Sequence, residues 1–360
     1  MIARFLLGLA ASFLLLMTGC KEPDGAAGGT SGAALYAYDS TTSAVFVYSD
    51  LSTVYDGTAA TVAPSKQITS SVFSSKISSL AWGGLCLDAT RAYLYLVSDS
   101  GNIVRVTNFR SQSGTVASTE VVSFSLSNTG RLSGSTFGQA AVDPSTDTLF
   151  ITENSGSGTQ IWVVANASSQ PQDASIALQA LQMSGDSGGT GVAAGSGAVY
   201  AFLLDGSTVG TVVTYSGPRL RKGTASAFTD ANTIIGSSTL IGKYGSLALD
   251  TSGKLFVARH NTDAGKTTEP IQVFTTGLFG QAYDQPPTTT LGDATAQADL
   301  RVIAHAGTKD WLVGLRGNGS TSYGTIFIWK SPTGGTAAKS IAASPTGSLF
   351  KGVAVDGNAS

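Results

Sequence analysis

A ring of six four-stranded sheets, the β-propeller, is the fold class predicted by three features of this 360-residue chain. The first is a run that recurs and ends in aspartate: Leu85-Cys86-Leu87-Asp88, Ala140-Ala141-Val142-Asp143, Leu247-Ala248-Leu249-Asp250 and Val353-Ala354-Val355-Asp356. The second is spacing. Successive aspartates lie 55, 107 and 106 residues apart, so each long gap holds a degenerate copy, at Val192-Ala193-Ala194-Gly195 and Val302-Ile303-Ala304-His305. Strand-rich units of roughly 50 residues, repeated around a ring, are the signature of propeller blades. The third is a shared size pattern. Two residues before the aspartate the side chain is small (Cys86, Ala141, Ala193, Ala248, Ala354), and four before it Gly84, Gly191, Ser246 and Gly352 are small while Gln139 is the exception. Six before it stand the aromatics Trp82, Phe137, Tyr244 and Phe350. Innermost strands converge on the propeller axis, where space is shortest, so one face of each must be small.

From the N-terminus, residues 1–20 read as a processing segment. Arg4 supplies positive charge and Phe5–Met17 is an apolar stretch of 13 residues, too short to span a bilayer but right for a signal-peptide core. It ends in Met17-Thr18-Gly19-Cys20, which resembles the lipobox of bacterial lipoproteins, with Met17 where Leu is usual. The resemblance implies cleavage before Cys20, acylation of its thiol and anchoring by two or three chains, enough for stable membrane attachment. Lys21, in place of the aspartate that retains lipoproteins at the inner membrane, favours the outer membrane. Residues 21–33, rich in Gly, Ala and Pro, read as a flexible tether, and 34–360 as the propeller.

Charged residues make up 12% of the chain and the net charge is −2, with no long basic run; nucleic acid is therefore not an expected partner. The densest basic cluster, Pro218-Arg219-Leu220-Arg221-Lys222, reads as a solvated loop. Beyond Cys20 only Cys86 remains, which excludes an intramolecular disulfide, and its small-residue position in a repeat strand makes it a buried apolar group.

After each aspartate a turn leads to a second strand (Tyr93–Val97, Leu149–Thr152, Val199–Leu203, Leu255–Ala258, Trp311–Leu315) and then a third (Ile103–Val106, Ile161–Val164, Val212–Tyr215, Ile271–Phe274, Ile326–Trp329). These runs alternate or are rich in β-branched and aromatic residues. Fourth strands are fainter, at Glu120–Leu126 and Ser175–Leu181, and residues 275–299 hold another within a long insert. The aspartates head turns, where their side chains accept backbone N–H bonds two residues on. The last copy ends the chain without a second strand, whereas Leu35–Tyr38 and Ala44–Tyr48 match second and third strands without a first. The C-terminal strand is thus expected to complete the N-terminal blade. In the sixth copy a slip of one residue would place Ala306 at the position given to His305.

Loops between second and third strands share a face with the segments entering each first strand. Around that face lie Asp39, Asp99, Glu153, Asn154, Asp205, Arg259, His260 and Arg316, a candidate ligand-binding ring with an acidic and a basic sector. The runs Asp250-Thr251-Ser252-Gly253-Lys254-Leu255-Phe256-Val257-Ala258 and Leu94-Tyr95-Leu96-Val97-Ser98-Asp99-Ser100-Gly101-Asn102 resemble the NHL-repeat and gluconolactonase-like six-bladed bacterial propellers. Members of that group mostly bind partners. With the anchor expected at Cys20, the chain is expected to be a monomeric, lipid-anchored binding or scaffold module for an envelope protein, peptide or glycan, with no assigned catalytic residue or metal. The group's enzyme branches imply the alternatives: a lactonase holding Ca²⁺ through Glu153, Asn154 and Asp99, or a quinone-dependent sugar dehydrogenase with His260 as base. The early Gly-Glu-Gly/Ser-Pro segment of the lactonases is missing. The recurrent aromatics fit either a binding rim or wedges between blades.

Overall fold

The apolar runs pair antiparallel in chain order, and a computed structural model assembles them into an all-β ring of six blades. It describes residues 32–358 except 156–157, 178, 183–185, 204, 210–213, 242–244, 260–269, 294–299, 308, 317–323, 333–337 and 344–348. From axis to rim, blade one comprises Phe350–Asp356, Ala34–Asp39, Ala44–Tyr48 and Lys66–Thr69. Blade two comprises Leu80–Asp88, Tyr93–Ser98, Asn102–Val106 and Val121–Leu126. Blade three follows as Thr136–Asp143, Thr148–Ser155, Gly158–Ala165 and Ala180–Gln182, and blade four as Gly191–Gly195, Ala198–Leu203, Arg219–Gly223 and Phe228–Ile235. Blade five is Gly245–Leu249, Lys254–Arg259, Ile271–Thr275 and Thr289–Leu291; blade six is Leu300–His305, Trp311–Arg316, Thr325–Lys330 and Lys339–Ala343. Alternate side chains of each strand pack against opposite neighbours. Tyr36, Tyr38, Val45 and Val47 of blade one, for example, meet Leu94, Leu96, Val104 and Val106 of blade two in one buried cluster.

The ring closes at two radii. At the axis Phe350–Asp356 pairs antiparallel with Ala34–Asp39, from Ala34 opposite Asp356 to Tyr38 opposite Gly352. At the rim Thr61–Val62 pairs parallel with Ala342–Ala343, and Lys339 Nζ donates to the Gly57 carbonyl at 2.6 Å. The rim contact is a recurring device: the segment between third and fourth strands of one blade reaches back to the outermost strand of the blade before. Gly114–Thr115 does so on Ile68–Thr69, Ser175–Ile176 does so on Ser125–Leu126, and Ile235 donates its N–H to Tyr283 at 2.9 Å. These straps cover outer edges that would otherwise offer unpaired backbone groups.

The inner edges face the same problem, and side chains solve it. Gln139, the residue that broke the small-residue pattern, is buried on the axis. Its Nε2 donates to the Leu247 carbonyl at 2.7 Å, and its Oε1 accepts from Leu247 N–H at 2.9 Å, Val192 N–H at 3.2 Å and Ser246 Oγ at 3.1 Å. The amide thus pairs with Leu247 as a peptide group of an adjacent strand would. Ser246 Oγ in turn accepts from Ile303 N–H at 3.1 Å, so one polar chain joins blades three to six. Thr190 brackets Gly245 the same way, donating to its carbonyl at 2.8 Å and accepting its N–H at 3.0 Å. The strands also close in directly. A Cβ on Gly191 would lie 2.6 Å from the Gly245 carbonyl oxygen, and one on Gly352 would lie 2.7 Å from Leu85 Cβ.

Three expectations are corrected. The third strand of blade four is Arg219–Gly223, so the basic cluster is a strand and not a loop. Arg219 is fully buried, and the nearly buried Arg221 pairs with Asp230 at 2.8 Å; alternation with Leu220 directs them to the face opposite the apolar one. Thr214–Ser216 of the expected strand instead forms a hairpin with Asp205–Val209, inserted between second and third strands, while Val212 lies outside the described residues. The expected run Ser175–Leu181 divides into the strap Ser175–Ile176 and the fourth strand Ala180–Gln182. In blade six Ala306 N–H bonds to the Trp311 carbonyl as Asp250 N–H bonds to that of Lys254, so Ala306 takes the aspartate position and His305 the large position before it.

Deleting residues 351–360 removes the axial closure and is expected to abolish cooperative unfolding, followed by circular dichroism on heating; a truncated chain with the full-length Tm would contradict closure. Gln139→Leu strands the backbone groups of Val192 and Leu247 and is expected to cost about 3 kcal/mol in denaturant titration.

Candidate functional site

The upper face carries the segments that enter each first strand. Five residues before the aspartate position, the axis is ringed by Lys351, Gly83, Gly138, Thr190, Gly245 and Arg301. The small residues leave space there, and a cavity of about 210 Å³ opens above Gln139. Trp82 and Phe137 supply aromatic walls, Gly138 and Gly245 the base, and Thr136, Asn154, Thr190 and Arg301 the polar lining. Trp82 is half-buried and Arg301 lies over its ring at 5.4 Å. The recurrent aromatics divide: Phe137 and Phe350 are core, 4% and 0% exposed, Trp82 reaches the cavity, and Tyr244 lies outside the described residues.

Most of the ring proposed from sequence is engaged in holding loops. Glu153 is fully buried, and one carboxylate oxygen accepts from Arg131 Nε at 3.4 Å, Leu132 N–H at 3.2 Å and the Ser135 hydroxyl. The other accepts from Gln160 Nε2 at 2.5 Å and Trp162 Nε1 at 2.6 Å. Five donors saturate a carboxylate, so Glu153 anchors residues 131–135 over blade three. Asn154 donates to the Gly189 carbonyl and accepts from Thr159 Oγ1 at 2.7 Å, while one face of its amide lines the cavity. Asp39 is buried at the end of its strand and accepts from Thr41 N–H at 3.1 Å, Thr42 Oγ1 at 2.7 Å and Leu349 N–H at 2.8 Å. Asp99 is half-buried on its loop. Asp205 belongs to the inserted hairpin, its backbone paired with Ser187. Arg259 and Arg316 end second strands, and Arg316 Nε is buried with no hydrogen-bond partner among the described residues. His260 lies outside them. Among the described members of that ring, Asn154 lines the cavity.

At the opposite mouth the four repeat aspartates cap turns as expected. Asp88 accepts from Thr90 N–H at 2.9 Å, Asp143 from Ser145 N–H at 3.0 Å, Asp250 from Ser252 N–H at 2.9 Å and Asp356 from Asn358 N–H at 3.0 Å. Two also join blades: Asp143 accepts from Gly197 N–H at 2.7 Å, and Asp356 pairs with Arg110 at 2.5 Å. Between these turns lies a lower bowl of about 620 Å³, whose lining includes Leu87, Val142, Leu249 and His305. His305 stacks on Phe256 at 5.2 Å, and its Nδ1 accepts from Gly307 N–H at 3.0 Å. Burial holds the imidazole below its ordinary pKa, helped by Lys254 and opposed by Asp250 and Asp310. Cys86 is buried and burial raises its thiol pKa, which makes it inert.

Sequence reasoning named Trp82, Phe137, Asn154 and the anomalous Gln139. It missed Arg301 and Thr190. With the sixth copy anchored on His305, Arg301 falls out of register with Lys351; anchored on Ala306, both stand five before the aspartate position.

No protein-family model matches the sequence, and no curated protein matches it. Among solved structures the chain is similar to Raptor of Chaetomium thermophilum, with 14% identity over 74% of this chain and 21% of that one and a TM-score of 0.43. It therefore spans about a fifth of that protein's length. It is also similar to the WD40 β-propeller domain of Doa1, with 8% identity over 72% of this chain and 67% of that one and a TM-score of 0.42. For the β-propeller domain of Cps50 (Swd1) from Myceliophthora thermophila the values are 11%, 72%, 85% and 0.40. The fold assignment rests on the strand pairing above.

A histidine with a depressed folded pKa contributes stability that is full above its unfolded value and is lost as pH falls below about 6.5, because the unfolded chain then binds the proton more readily. Protonation at Nδ1 also breaks the bond from Gly307. His305→Gln is therefore expected to flatten the fall in Tm between pH 7 and 5; an unchanged pH profile would contradict the assignment.

Proposed function

We propose that this chain is a bacterial envelope lipoprotein, held by acyl chains on Cys20 and displayed on a short tether, whose propeller is a binding module for a glycan, peptide or protein partner. The observation that carries this reading is the cup on the upper mouth: aromatic walls, a guanidinium, and hydroxyl and amide groups over a base of Gly138 and Gly245. Concave sites with a few placed polar groups on a rigid scaffold are how binding proteins fix a ligand. Glu153, a carboxylate the calcium site would need, is committed to five internal donors. That favours binding over calcium-assisted lactone hydrolysis, which needs free carboxylate oxygens.

Two measurements test the proposal. Metabolic labelling with palmitate in a bacterial host is expected to mark the wild type and not Cys20→Ser; equal labelling would contradict the anchor. In a thermal-shift screen of glycans and peptides with the full chain in detergent, ligands that raise the wild-type Tm are expected to leave Trp82→Ala unmoved. Ca²⁺-dependent lactone hydrolysis lost in Glu153→Gln would instead establish the enzyme.

A further inference from the structure

We infer that the outer edge of blade three is a docking strip for an extended peptide segment of a partner protein, one in which serine or threonine is followed by valine or isoleucine. The strip lies on the rim and does not rest on the reading given to the cup.

The motif comes from the protein's own straps. Ile68, Phe124 and Ile341 are buried on the fourth strands of blades one, two and six. The next residue of each, Thr69, Ser125 or Ala342, stands opposite a hydroxyl residue of the strap: Thr115, Ser175 or Thr61. A β-branched aliphatic residue then follows in all three. Val116, Ile176 and Val62 pack onto the apolar cluster between the two blades that the strap joins. Backbone bonds hold the seat: Ser125 N–H donates to the Ala174 carbonyl and Val116 N–H to the Thr69 carbonyl, both at 2.9 Å. Each strap runs parallel to the strand it covers.

Among the described residues, blade three has the seat without the strap. Leu181 is buried opposite Ile161 as Ile68 is opposite Val45, and Gln182 follows it. The Gln179 carbonyl turns inward to Val163 N–H at 2.8 Å, so by alternation the backbone groups of Ala180 and Gln182 point outward. Ala180–Gln182 ends its sheet. The cause lies in blade four. Straps come from residues 49–65, 107–120 and 166–179, between third and fourth strands. In blade four that link is only residues 224–227, a tight turn closed by Thr224 N–H on the Ala227 carbonyl at 3.0 Å. This blade carries its insertion one link earlier, as the hairpin of Asp205–Val209 and Thr214–Ser216. Ala225 and Phe228 rest partly buried on the cluster between blades three and four, which gives an incoming aliphatic residue apolar neighbours. An unpaired strand edge beside apolar contacts is what strand addition uses.

The test is fluorescence anisotropy of the full chain in detergent with a labelled peptide having the sequence of residues 172–179, the strap that blade three lays on blade two. Saturable binding is expected. N-methylation of the peptide at its isoleucine removes the donor that Val116 supplies on blade one, and is expected to weaken binding about tenfold, the scale of one hydrogen bond. Ala180→Pro and Gln182→Pro each remove an outward N–H without touching the inner ladder. Either is expected to weaken binding about as much while keeping the wild-type melting curve, and Trp82→Ala to leave binding unchanged. No saturable binding, equal binding of the N-methylated peptide, or full binding by both proline variants overturns the inference. Loss in Trp82→Ala with none in the proline variants overturns it by moving the peptide to the cup. Self-association of the chain that Gln182→Pro abolishes, without peptide binding, overturns it because the edge then serves a second copy.

Discussion

Pairing of backbone groups where six first strands meet is the constraint on which the rest of this structure depends. Each blade pairs its innermost strand on one side only, leaving an inner edge of N–H and C=O groups in a space too narrow for another strand. An unpaired buried group costs free energy comparable to a lost hydrogen bond. The chain answers with three polar side chains. Gln139 supplies an amide that imitates a peptide toward Leu247, Ser246 relays to Ile303, and Thr190 brackets Gly245. Elsewhere glycine lets the strands approach until nothing else fits.

This solution also shapes the surface. Gln139 bridges blades three to five at the axis, with a small cup above and a wider bowl below, and the innermost strands of all six blades line an axial cavity of about 140 Å³ between them. The glycines that permit close approach lower down leave room at the upper mouth, where Trp82, Phe137 and Arg301 border the space. Carboxylates that look free in sequence are used to hold the loops around it. Glu153 and Asp39 are held in this way, so rigidity at the mouth comes from polar groups bonded within the protein.

The fold was legible because the constraint repeats. Small residues two and four before the aspartate record the narrowing axis, and the divided terminal blade was visible as strands lacking partners at both ends. Blade four was misread where Arg219 and Arg221 alternate with Leu220: charge suggested solvent, but long basic side chains can be buried across a strand when partners such as Asp230 lie nearby. The site was less legible than the fold. Polarity in a loop does not show whether a carboxylate faces a ligand or, like Glu153 and Asp39, donors of the protein's own loops and strands. The most telling residue was an exception, Gln139, whose partners on blades four and five are brought near only by closure of the ring.

Native-state hydrogen exchange at Val192, Leu247 and Ile303 tests most directly whether the axial network holds the ring together. The account predicts that these three amides, donors to Gln139 and Ser246 rather than to a neighbouring strand, exchange only through global unfolding, with protection equal to the slowest amides of the second strands. Exchange at rates typical of surface loops, in a protein that is otherwise fully folded, would contradict it.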